Sequence, residues 1–236
     1  MPKPLAFLSK LWLGPPAGDT AVPPAPTPPS PALRAFPAVA TRHVASDARL
    51  YANRHDLILA LGVPRAADVA ELGVGLGFFS EFILDSLRPR RFVAIDTFQL
   101  HTIPVLWDHP SAELFGGKSH REYYEHRLAR YADVLDVREG DSHDCLSAFP
   151  DQHFYLIYVD AHHTYEGVKR DIAQAVRKMR LDGVLVFNDY VLADHARYPY
   201  GVVPAVNELL AAGEWQIVGL ALENRMYCVA LRRWAR

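Results

Sequence analysis

Short, almost wholly apolar runs alternate with amphipathic stretches along most of this chain, and that alternation predicts a mostly parallel sheet covered by helices on both faces. The apolar runs predict strands at 68–73 (DVAELG), 91–96 (RFVAID), 134–140 (VLDVREG), 154–160 (FYLIYVD) and 183–189 (GVLVFND). Between them FFSEFILDSL, HDCLSAF and EGVKRDIAQAVRKM carry helical spacing. A last helix, VPAVNELLAA, precedes WQIVGLAL and MYCVALRR, which the short turn ENR joins as an antiparallel hairpin. Upstream, 41–62 carries Val44, Leu50, Leu57 and Leu61 in what reads as one helix stopped by Gly62.

Two segments break the pattern. Residues 15–37 are too rich in proline for a helix or a central strand, so a domain over 41–236 is expected behind a proline-rich tail at 1–40. Within the tail, Leu5, Leu8, Leu11 and Trp12 share a helical face that suits docking on protein; Lys10 interrupts what would otherwise resemble a signal peptide. The second break is the long insertion at 97–133, helical only in its second half, and such irregular segments in compact domains serve as lids or binding loops.

Composition narrows the partner. A net charge of -2 argues against nucleic acid, and the basic end LRRWAR is too short for a binding stripe. Cys145 and Cys228 are far apart and not in metal-binding spacing, which fits a reducing compartment and makes the cytoplasm the expected location. No apolar run approaches the roughly 20 residues that span a bilayer.

The chemistry concentrates where strands end. In ELGVGLG, Gly73, Gly75 and Gly77 follow Glu71 with G-x-G-x-G spacing, whereas the dinucleotide fingerprint requires G-x-G-x-x-G. Glycines there let a ligand approach the backbone, and the tighter alternation behind an acid suits a cofactor with a cationic amino-acid end. Asp96 ends the next strand, where a carboxylate can accept from both ribose hydroxyls; Asp141 and Ser142 in EGDS follow the third strand, where the acid can take an adenine amino group.

These stretches, with YVDAHHTYEGVKRD, GVLVFNDY and GVVPAVNEL, resemble the class I S-adenosylmethionine-dependent methyltransferases, in particular the methyltransferase domain 24 branch, from about residue 45 onward. The resemblance implies a Rossmann-like, seven-stranded, mostly parallel sheet with an antiparallel C-terminal hairpin. It places Gly73 to Gly77 under the methionine part of S-adenosyl-L-methionine, Asp96 at the ribose and Asp141 at the adenine end. Asp160, Asn188 and Asp189 bring three oxygen-bearing side chains to neighbouring strand tips, the outline of a magnesium site. That layout resembles the metal-dependent O-methyltransferases, although Asn188 stands where many relatives carry an acid. His163, three positions beyond Asp160, falls where related enzymes place a basic residue and is the expected general base.

The expected reaction is methyl transfer to a hydroxyl of a sugar, glycan or small natural product, with an N-methyltransferase as the alternative. A nicotinamide-dependent oxidoreductase and a non-catalytic cofactor-binding protein are the readings from other classes. A homo-oligomer is compatible with the pattern. His162 adds a second reading of the site, since a His-His pair with Asp160 suits a transition metal, and a third in which one histidine caps the helix near Thr164. His101, His109, His120 and His195, with Trp107, Tyr198 and Tyr200, are candidates to line the acceptor pocket.

Overall fold

The computed structural model describes residues 35–193, 198–223 and 226–234. Its strands are β1 (Val44–Tyr51), β2 (Asp68–Leu72), β3 (Arg91–Asp96), β4 (Val105–Leu106), β5 (His109–Pro110), β6 (Leu135–Glu139), β7 (Phe154–Val159), β8 (Met179–Phe187), β9 (Trp215–Glu223) and β10 (Met226–Arg233). The helices are α1 (Arg54–Ala60), α2 (Phe78–Leu87), α3 (Ser111–Leu114), α4 (His120–Arg127), α5 (Ser142–Ser147), α6 (Tyr165–Lys178) and α7 (Val202–Ala211).

Eight of the strands form one sheet in the order β1-β9-β10-β8-β7-β2-β3-β6, and β4 pairs with β5 in a small hairpin of its own. All neighbouring pairs of the large sheet are parallel except those made by β10, which runs against both β8 and β9. The mostly parallel sheet and the C-terminal antiparallel hairpin therefore match the sequence pattern.

The eighth strand is a correction. Residues 41–62 do not form one helix: Thr41–His43 is a short 3-10 turn, β1 pairs in parallel with β9, and only Arg54–Ala60 is α-helical, capped by the Asn53 side chain accepting from the Asp56 N–H at 2.9 Å. Val44 and Leu50 lie on β1, on either side of an irregularity in its pairing with β9, and are 39% and 69% exposed. Only Leu57 and Leu61 belong to the helical core face.

Strand alternation divides the interior into two apolar layers. Ala70, Leu72, Val93, Ile95, Ile157 and Val159 pack on one side of the sheet, against α5, α6 and α7. Val69, Phe92, Ala94, Leu156 and Tyr158 pack on the other, with Leu57 and Ile58 of α1 and Ile83 and Leu84 of α2. Because β2, β3, β6, β7 and β8 are all parallel, their carboxyl ends lie along one edge, where ligands bind in open α/β sheets. No helix among the described residues is long and apolar enough to cross a membrane.

Candidate functional site

The edge is tied together by backbone hydrogen bonds before any side chain acts. Gly73 N–H donates to Ile95 O at 2.8 Å, Asp160 N–H to Leu72 O at 2.7 Å, Gly140 N–H to Asp96 O at 2.9 Å and Asn188 N–H to Val159 O at 3.0 Å. Gly73 has φ +78°, and a Cβ there would overlap the carbonyl oxygen of Asp160. Only glycine lets the tips of β2 and β7 approach this closely. Gly75 differs: at φ +49°, a Cβ would meet nothing within 4 Å except the indole edge of Trp107 at 3.9 Å. The turn thus has a backbone floor at Gly75, with Trp107, 57% exposed, standing over it.

Asp96 holds the turn. Its Oδ2 accepts from Val74 N–H at 2.9 Å and its Oδ1 from Phe98 N–H at 2.8 Å, while each oxygen keeps a second acceptor position. The buried His120 ring is 2.6 Å from Gly75 O through Nε2 and lies between Phe98 and Phe115, so it supports the turn from below. Glu71 points to the α2 side, as the alternation of β2 requires, and accepts from Ser80 Oγ at 2.5 Å. Burial pushes the Glu71 carboxyl up to about 8, only partly offset by the Ser80 hydrogen bond.

Asp141 caps α5, accepting from His143 N–H at 3.1 Å, and its carboxylate also pairs with Arg170 at 3.2 Å and His162 Nε2 at 3.5 Å. Ser142 is buried and donates to Asp171, a fully buried acid on α6. The two adjacent histidines diverge: His162 turns to Asp141 and packs against Gly167, whereas His163 turns to the tips of β7 and β8. The His-His metal pair does not form.

Asp160, His163 and Asp189 converge instead. His163 Nε2 lies 3.0 Å from Asp189 Oδ2 and 3.8 Å from Asp160 Oδ1, and the imidazole stacks on Tyr200 at 4.4 Å between centroids. Asp189 has φ +52°, a conformation Asp tolerates at some cost, which signals a site that constrains it. Burial raises the Asp160 carboxyl above the usual range, and the Asp189 charge adds to the rise. For His163, burial works downward, but contacts with the two carboxylates outweigh it and raise the imidazole to about 9.

Asn188 occupies a different role from a ligand oxygen. Its Nδ2 donates to Asp160 Oδ1 at 3.1 Å and to Asp189 Oδ1 at 2.8 Å. Its Oδ1 is turned away to accept from Tyr158 Oη at 3.1 Å and Cys228 Sγ at 2.8 Å. The all-oxygen set of Asp160, Asn188 and Asp189 is therefore not assembled. Behind it, Arg54 reaches Tyr158 Oη at 3.4 Å and lies over the Phe79 ring. Burial alone would lower the guanidinium, but Tyr158 and Asp160 keep it firmly charged.

Among the pocket candidates, His101 sits edge-on to Phe115 and Tyr198 is largely exposed, while His195 lies outside the described residues. Sequence reading missed Arg54, Tyr158, Cys228 and Asp171. The pairing of Val229 with Phe187 places Cys228 beside Asn188, a register that no local motif announces.

The family model described as a methyltransferase domain, Methyltransf_24, matches residues 70–190, just over half of the chain. The search of curated proteins finds no match. Among solved structures, the ribosomal protein L11 methylase of Lactobacillus delbrueckii subsp. bulgaricus superposes with a TM-score of 0.52 at 17% identity, covering 77% of each chain. The 1,6-didemethyltoxoflavin-N1-methyltransferase of Burkholderia thailandensis, solved with its acceptor and S-adenosylhomocysteine, gives 0.53 at 15% identity, again covering 77% of each chain. A SAM-dependent methyltransferase from Aquifex aeolicus gives 0.51 at 14% identity, covering 76% of this chain and 88% of its own. At these identities the likeness is one of fold.

Two outcomes are expected from the turn. Gly73→Ala should lose more than about 2 kcal/mol of stability in urea titration, because strain at positive φ adds to the clash with Asp160; an unchanged midpoint would contradict the close approach. Glu71 has a folded-state pKa raised from 4.5 to about 8, so folding stability falls as pH rises between those values and levels off above them. Glu71→Gln should match the parent near pH 4 and exceed it by roughly 4 kcal/mol at pH 8; a pH-independent difference would contradict the neutral buried acid. The glycine turn, the acid that pins it and the family match together place the chain in the class I S-adenosylmethionine-dependent methyltransferases, within the methyltransferase domain family.

Proposed function

We propose that the protein transfers the methyl group of S-adenosyl-L-methionine to a hydroxyl of a small molecule, a sugar or natural product among them. The observation that carries this reading is the adjacency of the two halves of the edge: the Gly73 backbone touches Asp160, so the open floor at Gly75 and the Asp160–His163–Asp189 cluster are neighbours. The cofactor lies over Gly73 to Gly77, with Asp96 accepting from the ribose hydroxyls through its free acceptor positions. Asp141 and Ser142 border the adenine end, where Arg170 and His162 partly neutralise the acid. Glu71 acts through the turn it supports with Ser80 rather than by touching the cofactor.

The acceptor oxygen attacks the sulfonium methyl in line; the C–O bond forms, the C–S bond breaks and the thioether leaves. The hydroxyl proton passes to the Asp160–His163–Asp189 cluster at the strand tips. The two carboxylates raise His163 to about 9, so at neutral pH its imidazole is held against Asp160 and Asp189 and orients them. Magnesium held by Asp160, Asn188 and Asp189 does not fit, since Asn188 presents N–H groups to both acids, and no step is routed through it. The free thiols of Cys145 and Cys228 support a cytoplasmic setting.

The test is transfer of labelled methyl to a panel of hydroxylated sugars and phenols beside matched amines. Hydroxyl products support the reading, and methylation confined to amines contradicts it. With an accepted substrate in hand, Asp96→Asn should raise the KM for S-adenosylmethionine roughly 10- to 100-fold, the loss of charge-assisted hydrogen bonds; an unaltered KM would remove Asp96 from the ribose.

A further inference from the structure

We propose that Trp107 is a specificity-determining residue for the methyl donor: its indole is drawn to the sulfonium cation and so favours S-adenosylmethionine over the neutral thioether left after transfer. The inference rests on the methyl-donor reading of the glycine turn and deepens it. Trp107 stands over that turn. Apart from Gly75's own chain neighbours, its Cη2 is the only atom among the described residues that a Cβ built on Gly75 would meet, at 3.9 Å. More than half of this large apolar side chain, 57%, is exposed, so burial within the protein does not account for its place.

The backbone beneath the indole is strained. Trp107 and Asp108 are the two central residues of the β4–β5 hairpin, in which Leu106 pairs with His109 and Val105 with Pro110. Both take left-handed φ, +50° and +64°, as a type I′ turn requires; Asn-Gly adopts this readily and a residue carrying an indole does not. Strain of that kind persists where the surroundings impose it, and ligand clamps are among those places. Here the surroundings tie the insertion to the glycine turn at both ends. Asp96, which accepts from Val74 N–H, also accepts from Phe98 N–H at 2.8 Å, and the buried His120 ring is 2.6 Å from Gly75 O. Ser111 closes the foot of the hairpin, donating through Oγ to Ile103 O and through its N–H to Pro104 O at 3.1 Å. No charged side chain among the described residues lies over the Trp107 ring, which leaves its π system to a ligand. A sulfonium spreads its charge over the attached CH groups, as does the quaternary ammonium that aromatic rings recognise, and the ring quadrupole attracts such a cation within about 6 Å of the centroid. Once the methyl has moved, the thioether is neutral and that attraction is gone.

The test is calorimetric titration of the full-length chain with S-adenosylmethionine and, separately, with S-adenosylhomocysteine, the fold of each variant checked by circular dichroism. Trp107→Leu, which keeps an apolar group but no π system, should weaken S-adenosylmethionine roughly tenfold more than S-adenosylhomocysteine. Trp107→Phe should keep most of the discrimination, because a smaller ring still offers a face to the cation. In Trp107→Leu, equal or greater weakening of S-adenosylhomocysteine, or no change for either ligand, would overturn the inference and leave the methyl-donor reading in place. Failure of the parent protein to bind either ligand would contradict that reading and remove this inference with it.

Discussion

A missing side chain sets the geometry of this molecule's functional edge. Gly73 brings the end of β2 against the backbone of Asp160 at the end of β7, and the rest of the edge is positioned by that contact. Were the two tips held apart by a Cβ, the bond from Asp160 N–H to Leu72 O would be strained. The glycine turn and the acidic cluster would then no longer border one space. Asp96 completes the frame from the neighbouring strand by accepting from Val74 N–H inside the turn and Phe98 N–H beyond it. Three parallel strands thus present one continuous rim, built mainly of backbone.

Charge on that rim is managed by burial and by neutral donors. Glu71 and Asp160 are both pushed toward the protonated form by desolvation, while Arg54 remains cationic on the same side. Asn188 lies between Asp160 and Asp189 and gives each an N–H without adding a charge. An acid at that position would place a third carboxylate among acceptors, with like-charge repulsion and no donor. The amide that looks like a weakened ligand in the sequence acts in the structure as a clamp.

The central parallel strands were legible because β2, β3 and β7 are short, buried and bounded, and the ends of β3 and β10 fall where the pattern puts them. The edge strand β1 was not, since a half-exposed strand with polar residues on both faces imitates helical spacing over a few positions. Gly73, Asp96, Asp160 and His163 lie in local motifs, so their convergence could be anticipated from parallel topology alone. The direction of Asn188's amide, the divergence of His162 from His163 and the partnership of Tyr158 with Cys228 depend on register between strands distant in sequence. His120 belongs to the same group: it comes from the long insertion yet supports the glycine turn.

The central claim is that the turn from Gly73 to Gly77 is the floor of a methyl-donor site. Calorimetric titration of the full-length chain with S-adenosylhomocysteine, with a divalent ion present and again with chelator, tests it most directly. The account predicts one-to-one binding on the order of micromolar in both conditions, because the glycine floor and the Asp96 carboxylate are formed by protein atoms alone. Absence of binding in both would contradict it and leave the open backbone at Gly75 to another ligand.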